Sequence, residues 1–230
     1  MNPLFSLQNQ GMSIDGQPIL RDISVTIKRG EKVALLGASG AGKTSLLRLL
    51  YPQQAEHAAL LPQHGGLVEL LSVYQNIFMG ALDRVATPAA LWNLVRPLPE
   101  HRRAVQQLCV ELGLEEKLWH SLDQLSGGQR QRVTLGRALY RCKDIFLGDE
   151  PVSAVDPLQA QLLLERVLEQ HPTAVVSLHN RHLALTYFNR IVVMSNGRIV
   201  ADQPAHSLTQ TDLDRFYQEA SQEADTATSL

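Results

Sequence analysis

The stretch "KVALLGASGAGKTSLLRLL", Lys32–Leu50, decides the fold. It opens on a short apolar run, Lys32 to Gly37, that reads as a buried strand. It closes on leucines at helical spacing. Between them "GASGAGKT", Gly37–Thr44, fits G-x-x-x-x-G-K-[ST], a pattern that needs a strand before it and a helix after it. Glycines let the backbone curl so that successive N–H groups face anionic oxygens, and the helix N-terminus adds a favourable dipole. Gly37, Ala38, Ser39, Gly40, Ala41, Gly42, Lys43, Thr44 and Ser45 are therefore the expected phosphate cradle. Lys43 is expected to pair with the β- and γ-phosphates, and Thr44 to hold Mg²⁺ through its hydroxyl.

Outward from this loop the chain alternates strand and helix. "DIFLGDE", Asp144–Glu150, and "TAVVSLH", Thr173–His179, read as two further buried strands. Between them "DPLQAQLLLERVLEQ" offers Asp156 as N-cap, Pro157 at the first helical position and leucines at helical spacing. Strand, helix, strand implies a parallel α/β core. "RIVVMSNGRIVAD", Arg190–Asp202, holds two β-rich runs joined by Asn196-Gly197, a hairpin signal. From about residue 70 to 140 the patterns are mainly helical. Ser72 with Gln75 suggests a capping box, and Gly113 a helix end.

The adjacent carboxylates Asp149 and Glu150 end the second strand. In a P-loop core that edge faces the nucleotide. Asp149 is then expected to support Mg²⁺, directly or through water, and Glu150 to polarise the attacking water; the plain alternative is a solvated acidic turn. His179 ends the third strand at the same edge and is expected on the γ-phosphate, with His182 as the fallback. A second glycine-rich stretch, "LSGGQRQR", Leu125–Arg132, leads into another helical pattern.

Composition narrows the rest. The 230 residues carry 44% hydrophobic and 19% charged side chains, enough for one sizeable core. A net charge of −2 argues against a strongly basic nucleic-acid binder, and no nucleic-acid partner is expected. Cys109 and Cys142 lie far apart without metal spacing and read as reduced thiols of a cytosolic protein. No apolar run approaches the roughly 18 residues that cross a bilayer, so a membrane role would come through a partner.

Taken together, the motifs resemble, in order, those of the nucleotide-binding subunit of ATP-binding cassette (ABC) transporters, over about residues 4–218. Gly37–Thr44 is similar to the Walker A loop, Gln63 in "LLPQ" to the Q-loop glutamine, and Leu125–Gln129 to the signature. Asp149 and Glu150 match the Walker B pair, "SAVD", Ser153–Asp156, the D-loop, and His179 the switch histidine. Within the family the likeness is strongest to the ATPase of phosphonate importers, carried by "GLVELLSVYQNIFMGAL", "SLHNRHLALTYFNRIVVMSNGRIV" and "LDRFYQ".

The resemblance implies one ABC nucleotide-binding domain with a P-loop NTPase parallel-sheet core (about 1–66 and 141–218), an inserted helical lobe (about 67–140) and a frayed tail (219–230). It implies an ATPase whose catalytic residues are Glu150, His179, Gln63 and Lys43, with Thr44, Gln63 and Asp149 at Mg²⁺. It implies a head-to-tail dimer in which Ser126, Gly127, Gly128 and Gln129 of one copy cover ATP held by the other. Permease subunits, a solute-binding protein reached through them, and a peripheral place on the cytoplasmic face of the inner membrane follow from the same likeness. The second reading is a non-transport accessory protein of a phosphonate-metabolising complex. Nucleic-acid maintenance ATPases need coiled coils, zinc modules or tandem cassettes, which this chain lacks.

Two departures stand out. Thr44 and Gln63 are about half as far apart as the family usually places them, so the antiparallel β-subdomain should be reduced. The position at which the family stacks adenine on an aromatic ring falls on Ile14. The surface from His64 to Gly80, with Leu67, Leu70, Val73 and Phe78, is either a permease dock or the lobe's own core.

Overall fold

The computed structural model describes residues 3–63 and 66–216. The tail expected to fray, 219–230, lies outside them, as does His64 at the start of the candidate dock.

A six-stranded sheet forms the centre. β3 (Lys32–Leu36), β4 (Ala58–Leu61), β5 (Ile145–Asp149), β6 (Thr173–Ser177), β7 (Arg190–Ser195) and β8 (Arg198–Pro204) run in the order β4-β5-β6-β3-β7-β8. Strands β3 to β7 are parallel to one another; β8 returns antiparallel through the Asn196-Gly197 turn. Strands β5 and β6 are buried at every position. That is why they read as continuous apolar runs rather than alternating ones: helices or a second sheet cover both faces.

The two faces separate residue by residue. Val33, Leu35, Leu147, Val175 and Val192 point to one core, which also takes Leu46, Leu47 and Leu50 of α1 (Lys43–Leu50). Ala34, Leu36, Phe146, Val176 and Val193 point to the other. The period-2 alternation of strand side chains dictates this division. On the first face lies a separate two-stranded antiparallel sheet, β1 (Phe5–Ile14) and β2 (Gln17–Ile27), whose Phe5, Leu20, Ile23 and Val25 complete that core. The antiparallel layer is thus a hairpin, in line with the reduced β-subdomain expected from the short interval after Thr44. That interval holds only α1, one 3₁₀ turn (Tyr51–Gln54) and β4.

The second face carries the helices. Between β4 and β5 the chain forms α2 (Val73–Phe78), α3 (Thr87–Val95), α4 (Pro99–Glu111) and α5 (Gly127–Tyr140). Ser72 caps α2 through the expected capping box with Gln75. α4 ends shortly before Gly113, which takes the left-handed φ of 61° that follows a helix end. Asp156 caps α6 (Pro157–Gln170), accepting from the Gln159 N–H. Val73 and Phe78 are fully buried and Leu67 packs against the same core, whereas Leu70 is 85% exposed. Of the candidate dock, Val73 and Phe78 therefore belong to the core and Leu70 to the surface. After β6 comes α7 (Arg181–Tyr187), and a last helical stretch occupies 210–216.

His171, just past α6, is fully buried against Phe146, with ring centroids 5.0 Å apart. Its Nδ1 lies 2.7 Å from the Val167 carbonyl, and its Nε2 has no partner. Burial holds its imidazole below the usual value of 6.5, helped by the charges of Arg166 and Lys32; the Val167 carbonyl and Asp144 push the other way. The folded chain keeps this ring neutral while the unfolded chain protonates it below about pH 6.5, so stability falls as pH drops through that value. Urea unfolding at pH 7.5 and 5.5 should show His171→Leu losing less stability between the two than the wild-type chain; an equal loss would remove His171 as the cause.

Candidate functional site

The site begins where β3 ends. Gly37 is buried with φ 150°, and a Cβ there would lie 2.4 Å from the Met194 carbonyl oxygen, so only glycine fits. The loop then turns outward, exposing Ala38, Ser39 and Gly40, and returns through buried Ala41 to Gly42. Gly42, at φ 101°, is the N-cap of α1 and covers none of its first-turn amides with a side chain. No acidic residue occupies that turn. A loop of this shape at an uncovered helix N-terminus is a ready anion site. Buried Ser45 follows in the first turn.

Lys43 is 6% exposed, and its Nζ donates to the carbonyls of Gly37 (2.8 Å) and Ala38 (3.0 Å). Burial pulls its ammonium below the usual lysine value, and the charges of Glu150 and Asp149 pull it back up. The ammonium thus sits inside the loop with two carboxylates near it.

Those carboxylates are placed by β5 and β6. Asp149, 3% exposed, accepts from the Thr44 hydroxyl at Oδ2 and the Ser177 hydroxyl at Oδ1, each at 2.5 Å. Asp149 and Ser177 are register partners across the parallel pair. The next residue, Glu150, leaves the strand at φ 52°, a left-handed conformation costing a non-glycine residue on the order of 1–2 kcal/mol. Its N–H donates to the Ser177 carbonyl (3.2 Å) and hydroxyl (3.0 Å). Its carboxylate lies 2.5 Å from His179 Nε2. Strand geometry and two serine bonds therefore hold Glu150 beside its histidine. Gln63, two residues past β4, lines one small cleft of about 90 Å³ with Thr44 and Asp149.

A family model described as "ABC transporter" matches residues 20–153, more than half of the chain. The chain belongs to the ABC transporter family. It is an ATPase cassette of that family. It is 35% identical over 237 residues to the phosphonates import ATP-binding protein PhnC 1 of Pseudomonas syringae pv. tomato, covering 88% of this chain and 87% of that protein. It is likewise 35% identical over 244 residues to the phosphonates import ATP-binding protein of Pseudomonas entomophila, covering 92% and 90%. Among solved structures, the ATP-binding subunit of an ABC transporter superposes with a TM-score of 0.75 at 25% identity, covering 95% of this chain and 99% of that one. A dimeric cassette in a post-hydrolysis state, bound to ADP and Pi, shares the fold with a TM-score of 0.73 at 23% identity, covering 87% and 98%.

Within the ABC cassette the remaining candidates lie elsewhere. Ser126 caps α5 through a capping box with Gln129, so the polar groups of this pair close on each other. Ser126 and Gly127 are exposed, and a side chain built at Gly127 would meet nothing. Gly128 differs: a Cβ there would come 2.8 Å from the Ala154 carbonyl oxygen. Ile14 sits at the tip of the β1–β2 hairpin, 40% exposed. The hairpin leans on the Gly37–Thr44 loop through Leu20, 2.7 Å from a Cβ built at Gly42. Ile14 is two residues beyond Met12, which pairs with Leu20, so it projects roughly 7 Å past that contact. His182 lies in the first turn of α7 and is exposed.

Two residues of the site escaped the sequence reading. Ser177 was hidden at the end of an apolar strand, which stops there and not at His179 as expected, although a lone hydroxyl two residues before that histidine was a usable signal. Gln131, which donates to the Glu150 carbonyl at 2.6 Å, gives no such sign. The geometry predicts that Lys43→Ala lowers ATP turnover by about 100-fold or more in a chain that circular dichroism shows to be folded; an active variant would detach Lys43 from the phosphates.

Proposed function

We propose that the chain is the ATPase subunit of an importer for phosphonate or a similar small solute, acting as a head-to-tail dimer beneath a separate membrane permease. One observation carries this reading. The chain holds two glycine-rich helix N-termini: the first gathers Lys43, Thr44, Asp149 and Glu150, and the second presents Ser126 and Gly127 to solvent. A second copy, facing the first, would bring its Ser126, Gly127 and Gly128 over the γ-phosphate bound to Gly37–Ser45. The match to phosphonates import ATP-binding proteins along almost their whole length supports the substrate class.

In this reading Lys43 neutralises the β- and γ-phosphates, and Glu150 orients and activates the attacking water. His179 steadies the Glu150 carboxylate and reaches the γ-phosphate. Thr44, Asp149 and Gln63 line one cleft with oxygen donors suited to a hard divalent cation. Mg²⁺ bound there supplies charge neutralisation during phosphoryl transfer. Because only a triphosphate bridges both surfaces well, ATP closes the dimer and hydrolysis releases it. Gln63 links the nucleotide to the helical part, about 67–140, which together with the core about 1–66 and 141–218 makes one cassette.

No helix among the described residues is long and apolar enough to cross a membrane. The chain would instead lie on the cytoplasmic face, held by permease subunits and reaching a solute-binding protein through them. The proposed permease dock is the exposed part of residues 66–80, where Leu70 faces solvent, together with the groove of about 390 Å³ that Gly66, Met79 and Gly80 line beside Tyr51, Asp83 and Arg137. Mg²⁺-dependent ATPase activity and co-purification with an integral-membrane protein test the transport reading; recovery only with soluble phosphonate-metabolising enzymes would overturn it.

Glu150→Gln is expected to slow hydrolysis and accumulate an ATP-bound dimer by size-exclusion chromatography; normal turnover would sink the role given to Glu150. Ile14 can pack on a base but cannot stack on it, which forgoes roughly 1–3 kcal/mol. Competition binding should therefore show ATP and GTP with similar affinities. A strong ATP preference would mean that another group reads the base.

A further inference from the structure

The left-handed turn at Glu150 is gripped from outside by the helix that carries the signature. The Glu150 carbonyl accepts from Ser153 N–H (3.3 Å) and Ser153 Oγ (3.2 Å) within its own turn, and from Gln131 Nε2 at 2.6 Å. The same Gln131 nitrogen donates to Ser153 Oγ at 2.9 Å. Gln131 lies in the second turn of α5, five residues after Ser126. Gly128, one turn earlier and on the same face, packs against the next part of this loop, the Ala154 carbonyl. α5 thus touches the 150–154 turn at two heights, once by close packing that only glycine permits and once by a short side-chain bond.

A non-glycine residue stays left-handed only where its surroundings over-determine it. For Glu150 those surroundings are β6 on the N–H side and Gln131 on the carbonyl side. Gln131, Ser153, Gly127 and Gln63 also line one cleft of about 450 Å³, so the tether sits where the signature, the 150–154 turn and the end of β4 meet.

We infer that Gln131 is a positioning residue, tying the signature helix to the backbone of the catalytic carboxylate in the same subunit. This rests on the ATPase reading of Glu150. The two ends of the tether serve different nucleotides. Ser126–Gly128 would engage the ATP of the second copy, whereas Glu150 acts on the ATP of its own. Two turns of helix move as a rigid rod, so a shift of the α5 N-terminus carries the Gln131 amide with it and turns the Glu150 peptide. Each subunit therefore conveys closure at one nucleotide to the carboxylate at the other.

The test uses the full chain. Gln131→Ala should lower kcat about 10-fold or more while the KM for Mg·ATP changes less than about twofold, the signature of an effect confined to the reacting geometry. Gln131→Glu, equal in size but without the amide donor, should lose as much, which separates the bond from packing. Gln131→Lys, which restores a donor of similar reach, should recover part of the rate. In a Glu150→Gln background, ATP-dependent dimerisation should be the same with and without the Gln131→Ala substitution. Wild-type kcat in Gln131→Ala would overturn the proposal. So would loss of ATP-dependent dimerisation in the double variant, which would assign Gln131 to the signature surface itself. Full activity of Glu150→Gln alone would instead remove the underlying reading, independently of position 131.

Discussion

The buried carboxylate of Asp149 is the point on which the site depends. A charge removed from water is costly unless it is well hydrogen-bonded. Asp149 meets that cost with two short, charge-assisted bonds from hydroxyls that the chain delivers from positions 44 and 177. Those bonds pin the first turn of α1 to the ends of β5 and β6. The Gly37–Thr44 loop, the carboxylate edge and the histidine that follows β6 are thereby fixed relative to one another by the chain's own bonds. Loss of either hydroxyl would leave the carboxylate half-satisfied and loosen three elements together.

Much of this was legible because it is local chemistry. The P-loop pattern requires its own strand and helix, and both are there. Asp156-Pro157 and Ser72 with Gln75 state their helix starts through capping, and Asn196-Gly197 states its turn. What escaped had physical reasons. Strand β1 alternates poorly, since the register of its pairing with β2 shifts repeatedly between Leu7 and Ser13, and β2 alternates cleanly only from Ile23 to Ile27. β4 is a four-residue edge strand, too short to show a period. The apolar residues of α2 suit a partner surface and the chain's own core equally; only packing shows that five of its six residues, Val73 and Phe78 among them, are buried. Ser177 and Gln131 act through the sheet register and the placement of α5, neither of which is written in neighbouring residues.

The helical part has no core of its own. A single apolar cluster runs from Ala34, Leu36 and Phe146 on the sheet to Val105, Cys109 and Leu112 on and beside α4. Burial raises the Cys109 thiol to about 12, so it packs as an inert apolar group. Any movement of these helices against the sheet must slide along that continuous surface rather than open it. Polar links such as the one between Gln131 and Glu150 are then well placed to set how far it slides.

The order of strands in the central sheet has a consequence for how the chain is made. β3 and β4 follow each other in sequence, yet two slots separate them, and those slots belong to β5 and β6. On a ribosome, β4 has no neighbour until residue 145 has emerged, and β3 joins it in one sheet only after residue 177. The Gly37–Thr44 loop is synthesised early but acquires its shape late. For most of translation its flanking apolar strands wait for partners, so the nascent chain is most exposed to misassociation before the second half of the sheet arrives.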